Sequence, residues 1–387
     1  MANILLSPLF LGCMAVILLA IVGVCSSPFL RFRAKKETIA PESSLSEKEE
    51  CPPVSILMLS DRDAEKLDRR IDAVLSQGYP QAFEIIVVTE KDHSEVQDVI
   101  KLKENDSRVR STFIPATSRY MSKPKLAITL GVKSAAYEWI VILGADAMPI
   151  GTNWLKNLAS GMDSSKNIVA GYCNYAPERS HSYHRFEKLF LYHYLFRWAK
   201  SGHTYAANGT NFAFRKSEFI EQDGYRGNLQ YVRGEFDFLV NKYSSGKASL
   251  VISPEAWAID EESVHKYWIN DHLAYLYHYR KLRRNTKMHM LILTDMICLH
   301  ASVVGIVAAI VFSIYQQIWG LTAVASLLLV GLSAFRIWYA TRSIQAFNAN
   351  ISTWKVPFLE LGIAWHWALY RIYYIFSDKI NYSSHKL

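Results

Sequence analysis

Trp139-Ile-Val-Ile-Leu-Gly-Ala-Asp-Ala-Met-Pro149 sets five apolar residues in a row, breaks at a glycine and reaches an acid two residues later. A short apolar run bounded by a breaker reads as a strand buried on both faces. The pattern recurs upstream. Val54–Leu59 is followed by a polar turn and an amphipathic segment around Lys66–Leu75. Glu84–Val88 precedes a helical stretch near Val96–Lys103, and Ser111–Pro115 precedes helical periodicity over Lys125–Ala136. Strands alternating with helices predict an α/β domain with a mainly parallel sheet covered on both faces. Such sheets bind ligands at the carboxyl ends of their strands, so residues just past each apolar run are the first candidates for a site.

The rest of the chain has a different texture. Half of its residues are hydrophobic and a fifth are charged, a balance that favours membrane association over a purely soluble protein. Ile4–Val24 is an uncharged run long enough to cross a bilayer as a helix. No basic segment precedes it, as a cleaved signal would require; Arg31, Arg33, Lys35 and Lys36 follow it, which favours an uncleaved anchor with the following chain in the cytoplasm. Further spans are expected at Ile297–Tyr315 and Leu321–Tyr339. Val356–Phe376 carries Glu360, His366 and Arg371, so it either spans with its charges facing protein or lies along the interface. The resulting division is an anchor over 1–30, a polar linker over 31–51, a cytoplasmic domain over 52–266, an amphipathic interface helix over 267–290 and a membrane region of two to three helices over 291–387. The net charge of +8 is concentrated beside apolar stretches, as at an anionic membrane surface, and no basic arm points to nucleic acid. Five scattered cysteines without a C-x-x-C pair argue against a disulfide framework or a zinc site.

Several segments, in order, resemble the family 2 glycosyltransferases: Pro53-Val-Ser-Ile-Leu-Met-Leu-Ser-Asp-Arg-Asp63, Leu75-Ser-Gln-Gly-Tyr-Pro80, Glu84-Ile-Ile-Val-Val-Thr-Glu90, Lys125–Ala136, Trp139–Pro149, Gly209-Thr-Asn211-Phe-Ala-Phe-Arg-Lys216 and Gly234-Glu-Phe-Asp-Phe-Leu-Val-Asn241. The resemblance implies a GT-A, Rossmann-like nucleotide-diphospho-sugar transferase domain joined to transmembrane helices. It further implies a multi-pass protein of the cell membrane that moves a sugar, with inversion, from a nucleotide sugar to a lipid-linked or polysaccharide acceptor at the cytoplasmic face, with or without partner subunits. It places Asp63, Glu90, Asp146 and Arg283 at the nucleotide sugar, Asn211 at the sugar and acceptor, and Glu235 or Asp237 as the catalytic base. Asp146 would also hold a divalent cation, Mg²⁺ or Mn²⁺.

The chemistry accounts for these residue types. A leaving diphosphate needs positive charge, from a carboxylate-held cation or basic side chains, and an attacking hydroxyl needs a carboxylate to take its proton. Two positions depart from the family pattern. Gly144 stands where the D-x-D motif has its first acid, and Phe236 replaces the central acid of the base segment. If that segment is extended, Glu235 and Asp237 point away from Phe236. The departures leave open a second reading, a degenerate transferase domain kept as a binding or scaffolding subunit. Structural alternatives exist for single residues as well. Asp146 can be a turn residue, and Asp63, Glu235 and Asp237 can cap helices. Arg280–Lys287 can form an interface face, Lys123 and Lys125 can neighbour a phosphate but are more simply solvated, and the aromatic segment His184–Trp198 suits packing or a membrane-facing surface.

Overall fold

The computed structural model describes residues 8–31, 51–59, 63–91, 93–115, 121–199, 201–207, 209–251, 253–261 and 264–378. Arg33, Lys35, Lys36, most of the linker and Ser60-Asp-Arg62 of the first motif lie outside them. The chain divides into a unit of residues 35–285 with 370–387 and a unit of residues 1–34 with 286–369.

Helix α1 covers Pro8–Cys25. The larger unit then runs β1 (Val54–Leu59), α2 (Ala64–Leu75), β2 (Phe83–Glu90), α3 (Ser94–Lys103), β3 (Val109–Ile114), α4 (Lys123–Ser134) and β4 (Trp139–Leu143). These strands are parallel neighbours in the order β3-β2-β1-β4. The alternation read from sequence is therefore the observed α/β architecture. All five residues of β4 are buried, which is why its sequence is continuously apolar. Helix α2 lays Leu67, Ile71 and Val74 on the sheet, together with one cation, Arg70. Its guanidinium donates to the carbonyls of Leu59 at 3.4 Å and Leu143 at 3.2 Å, the last residues of β1 and β4.

Beyond β4 the chain continues through β5 (Ala147–Pro149), α5 (Trp154–Ala159), β6 (Ile168–Ala170), β7 (Cys173–Tyr175), α6 (Ser182–Ala199) and β8 (Asn211–Arg215). It then forms α7 (Lys216–Glu221), α8 (Glu235–Ser244), β9 (Ala248–Leu250), β10 (Ala258–Asp260) and α9 (Val264–His278). Strand β8 lies antiparallel to β4 and β6, and β5-β10-β7 make a second small sheet. The aromatic segment of α6 is packing: Phe186, Leu189, Phe190 and Tyr194 are all buried. The stretch expected as one interface helix over 267–290 is shared between α9, a 3-10 turn at Tyr279–Lys281 and the start of the next helix. The five cysteines form no disulfide.

The smaller unit contains α1 with most of α10 (Asn285–Tyr315), α11 (Trp319–Ala346) and the first two thirds of α12 (Val356–Phe376). Helices α1, α10 and α11 are each long and apolar enough to cross a membrane. Their packed side is made of small and apolar residues. A Cβ on Gly23 would lie 2.9 Å from Ser302 and Leu332, and one on Gly305 would lie 2.7 Å from Leu19, so both glycines permit close helix approach. Leu18, Val304, Leu327 and Val330 are exposed, as lipid-facing side chains are. Glu360 of α12 is buried and accepts from Arg336 Nε at 2.6 Å, while Arg336 Nη1 also donates to the carbonyl of Gly23 and to Ser26 Oγ. The Glu360 carboxylate thus faces protein, whereas Arg371 of the same helix is exposed. Removing one partner of a buried pair strands the other charge, at a cost on the order of 3–5 kcal/mol. Glu360→Ala and Arg336→Ala should therefore each lower the thermal midpoint of the detergent-solubilised protein markedly. The double variant Arg336→Met/Glu360→Leu should recover most of the loss.

Candidate functional site

Chain order runs outward from β1 to β2 and β3, then returns to β4 on the other side of β1. In open α/β sheets the crevice outside such a switch point is where ligands bind. A cavity of about 450 Å³ lies there. Leu59, Glu90 and Ile114 line it from the ends of β1, β2 and β3, and Gly144-Ala-Asp146 from the turn after β4. Lys123, Thr210, Glu235, Asp260 and Asp271 complete the polar part of its wall, and Phe236 adds an aromatic ring.

Asp146 is in the cavity, but its carboxylate is already ion-paired with Lys66 Nζ from the first turn of α2. Its backbone carbonyl accepts from Glu261 N at 2.9 Å, and the β5–β10 ladder sets Asp260 opposite Ala147. Gly144 has a steric reason. A Cβ there would stand 2.2 Å from Thr210 Oγ1 and 2.5 Å from Thr210 Cβ, across the antiparallel ladder that pairs Leu143 with Asn211. The space a first D-x-D acid would use is filled by Thr210. Glu90 accepts from Lys123 Nζ at 2.8 and 2.9 Å.

Glu235 begins α8, so the base segment is a helical turn and not extended. Gly234 caps it at φ +85°, and a Cβ at Gly234 would lie 2.5 Å from the His278 ring, so both backbone conformation and space call for glycine. Glu235 Oε2 is buried with no hydrogen-bond partner among the described residues. Burial raises the pKa of Glu235, opposed first by a hydrogen bond to its own backbone and then by the positive charge of Lys125. Asp237 is directed elsewhere, two helical positions or about 200° round the axis. It accepts from Ala207 N at 3.0 Å and sits 3.2 Å from His278 Nε2. Between them Phe236 lines the cavity and packs edge-on against Phe212.

The remaining candidates are outside the cavity. Asp63 caps α2, accepting from Lys66 N at 2.9 Å. Asn211 is buried, with Nδ2 donating to the carbonyls of Tyr172 and Ala256 and Oδ1 accepting from Trp154 Nε1. Its amide joins the central sheet to its surroundings and does not face the ligand space. Arg283 is bonded through its backbone N–H to Asn241 Oδ1 at 2.7 Å, with its guanidinium 3.4 Å from Ser245 Oγ. Ser245 follows the end of α8 opposite to Glu235, roughly 15 Å along the helix axis.

Three residues in or beneath the wall, Lys125, Asp260 and Asp271, were not assigned to the site from sequence. Lys125 is wholly buried, not solvated, and donates to the carbonyls of Asn228, at 2.7 Å, and Tyr231. Desolvation lowers its pKa to about 8. Asp271 is ion-paired with Arg233. Asp260 ends Trp257-Ala-Ile-Asp260, a short apolar run closing on an acid like that of β4, which is the signal that could have found it. No group of three His, Cys, Asp or Glu side chains able to hold a metal occurs among the described residues. Of the acids in the wall, Asp146, Glu90 and Asp271 are each ion-paired, with Lys66, Lys123 and Arg233, so a divalent cation there would have to displace a basic side chain from its carboxylate.

The family described as Glycosyl transferase family 21 matches residues 15–372. Among solved structures, the chain is similar to the mannosyltransferase PcManGT from Pyrobaculum calidifontis in complex with GDP-Man and Mn2+. Identity is 17% and TM-score 0.50, over 88% of this chain and 97% of that one. It is also similar to S. aureus TarS, at 12% identity and TM-score 0.43, over 79% of this chain and 54% of that one. No curated protein sequence matches. The fold implied by the motifs is thus the fold observed, while the matching family is 21 and not 2. The Gly144–Thr210 contact makes a prediction of its own. Gly144→Ala should cost about 1–3 kcal/mol by overpacking, measured by denaturant unfolding. Thr210→Gly in the same chain should return part of that loss, so that the two changes are not additive.

Proposed function

As a member of glycosyl transferase family 21, and so a glycosyltransferase acting from a nucleotide sugar, the chain has in Glu235, we propose, the base that deprotonates the acceptor hydroxyl. The observation that carries this is the Glu235 carboxylate itself. It borders the switch-point cavity, one oxygen is buried without a partner among the described residues, and its neighbour Asp237 is occupied with Ala207 N and His278. A base has to be within reach of the proton it takes and ionised when it does so, and burial that lifts a carboxyl pKa makes it a stronger base. The acceptor oxygen attacks the anomeric carbon, its proton passes to Glu235, and the bond from that carbon to the diphosphate breaks. Attack from the side opposite the diphosphate inverts the anomeric centre.

Around this step, Glu90 with Lys123 borders the nucleotide end of the cavity and Asp146 the region of the diphosphate and sugar. Asp63 acts by fixing the first turn of α2, and Asn211 by holding β8. Arg283 is assigned to a surface patch with Arg280, one that meets phosphate only if the 279–284 segment moves. The amino-terminal helix and the later apolar helices favour a lipid-linked or polysaccharide acceptor. The basic residues after the first span favour a catalytic domain on the cytoplasmic side of the cell membrane.

Purified protein in detergent, offered a panel of nucleotide sugars with a membrane-lipid extract as acceptor, tests the assignment through nucleoside diphosphate release. Glu235→Gln should lower release by about 10²–10⁴-fold with donor binding retained, and Asp237→Asn should lower it far less. Below its raised pKa Glu235 is protonated and cannot accept a proton. The rate of the native protein should therefore fall as pH drops, with a midpoint above the ordinary glutamate range, and Glu235→Gln should lack that limb. Equal release by Glu235→Gln and the native protein would remove Glu235 from the role. Binding without release from any donor would favour the scaffolding reading.

A further inference from the structure

Breaking the bond to the diphosphate leaves an electron pair on a phosphate oxygen, and that charge has to be met by a cation. A divalent ion is poorly provided for here. At the motif Asp146 supplies one carboxylate and Gly144 has no room for another beside Thr210, while Glu90 and Asp271 of the same wall are paired with Lys123 and Arg233. Binding a metal at Asp146 would also displace the Lys66 ammonium from an ion pair that is only 12% exposed on the lysine side and 26% on the aspartate side. Lys66 stands in the first turn of α2, at the carboxyl end of β1. The helix amino terminus there adds partial positive charge to the ammonium.

We propose that Lys66 takes the place of the divalent cation: its ammonium, held on Asp146, is the charge against which the diphosphate leaves, and turnover needs no bound metal ion. The inference rests on the glycosyltransferase reading above and assigns the counter-charge of that same site. An ammonium has three donors and no acceptor, so one bonded to Asp146 can also donate to a phosphate oxygen. It is a compact point charge on a flexible stem, able to follow the oxygen as the bond lengthens. The step balances. The acceptor O–H proton goes to Glu235, the new bond forms between the acceptor oxygen and the anomeric carbon, and the old carbon–oxygen bond breaks with its electron pair on the diphosphate. The diphosphate departs as an anion paired with Lys66. Asp146 is then a positioning residue for Lys66, which gives the single remaining acid of the motif a purpose without its partner.

The test uses the full-length protein, Lys66→Ala and Lys66→Arg, each in EDTA and in Mn²⁺. Binding of UDP, GDP and dTDP is measured by calorimetry, and nucleoside diphosphate release is measured from the sugar donors. The native protein should bind its nucleoside diphosphate and release it within twofold of the same values in both media. Lys66→Ala should lose tenfold or more in affinity and about a hundredfold in release in EDTA, with Mn²⁺ restoring part of both because Asp146 has lost its ammonium. Lys66→Arg keeps the charge and should stay within tenfold of native in EDTA, which separates loss of charge from loss of folding. Native turnover that EDTA abolishes and Mn²⁺ restores would overturn the role of Lys66 alone, as would Lys66→Ala matching native in EDTA. Absence of both nucleotide binding and release in either medium would overturn the glycosyltransferase reading with it.

Discussion

The guanidinium of Arg70 joins the last carbonyl of β1 to the last carbonyl of β4 inside the protein, and the crevice takes its shape from that join. Strand-end carbonyls at a switch point have no further ladder partner, and leaving them buried and unbonded would cost free energy comparable to lost hydrogen bonds. One planar fork with five donors reaches two strands at once, which a lysine could not do with the same geometry. With the two strand ends held, the turn after β4 presents Asp146 and the first turn of α2 presents Lys66 to the same space.

On the other edge of β4 the antiparallel partner β8 decides what that turn can contain. The ladder continues from the Leu143–Asn211 pair to Gly144 beside Thr210, and the threonine side chain stands where a β-carbon at 144 would have to be. The loss of the first motif acid is therefore a packing fact with an electrostatic consequence. One carboxylate remains, and a lysine has come to it. On the far wall, Gly234 brings the start of α8 close to His278, and the helix then separates Glu235 from Asp237 by geometry alone. Lys125, buried beneath, ties the 228–231 loop ahead of that helix by donating to two of its carbonyls.

Much of this was legible in advance. The apolar runs ending in Glu90 and Asp146 marked strand ends, and the acids there do border the cavity, because a strand buried on both faces has to be apolar until it emerges at the ligand edge. Asp63 was legible as a cap, since a short acid before an amphipathic segment satisfies helix N–H groups wherever it stands. Arg283 and Asn211 were less readable. Asn211 keeps its motif position but spends its amide on Tyr172, Ala256 and Trp154, and Arg283 of the basic 280–287 stretch is held at the far end of α8. Arg70 and Arg336 gave no local signal at all. Each sits among ordinary neighbours of its helix and is distinguished only by what it meets from distant segments.

Sequence by itself determined the class of the domain, the order of its first four strands and the helices between them, the apolar helices on either side of it and the acids at the strand ends, because hydrophobic period and chain order are local properties. Tertiary structure alone decided which charges meet. Lys66 and Asp146 are eighty residues apart, Arg336 and Glu360 belong to different helices, and Thr210 reaches Gly144 through a strand pairing that no local pattern encodes. Charge balance at a site depends on distance in space, and in this chain that distance is fixed by the β1–β4–β8 arrangement.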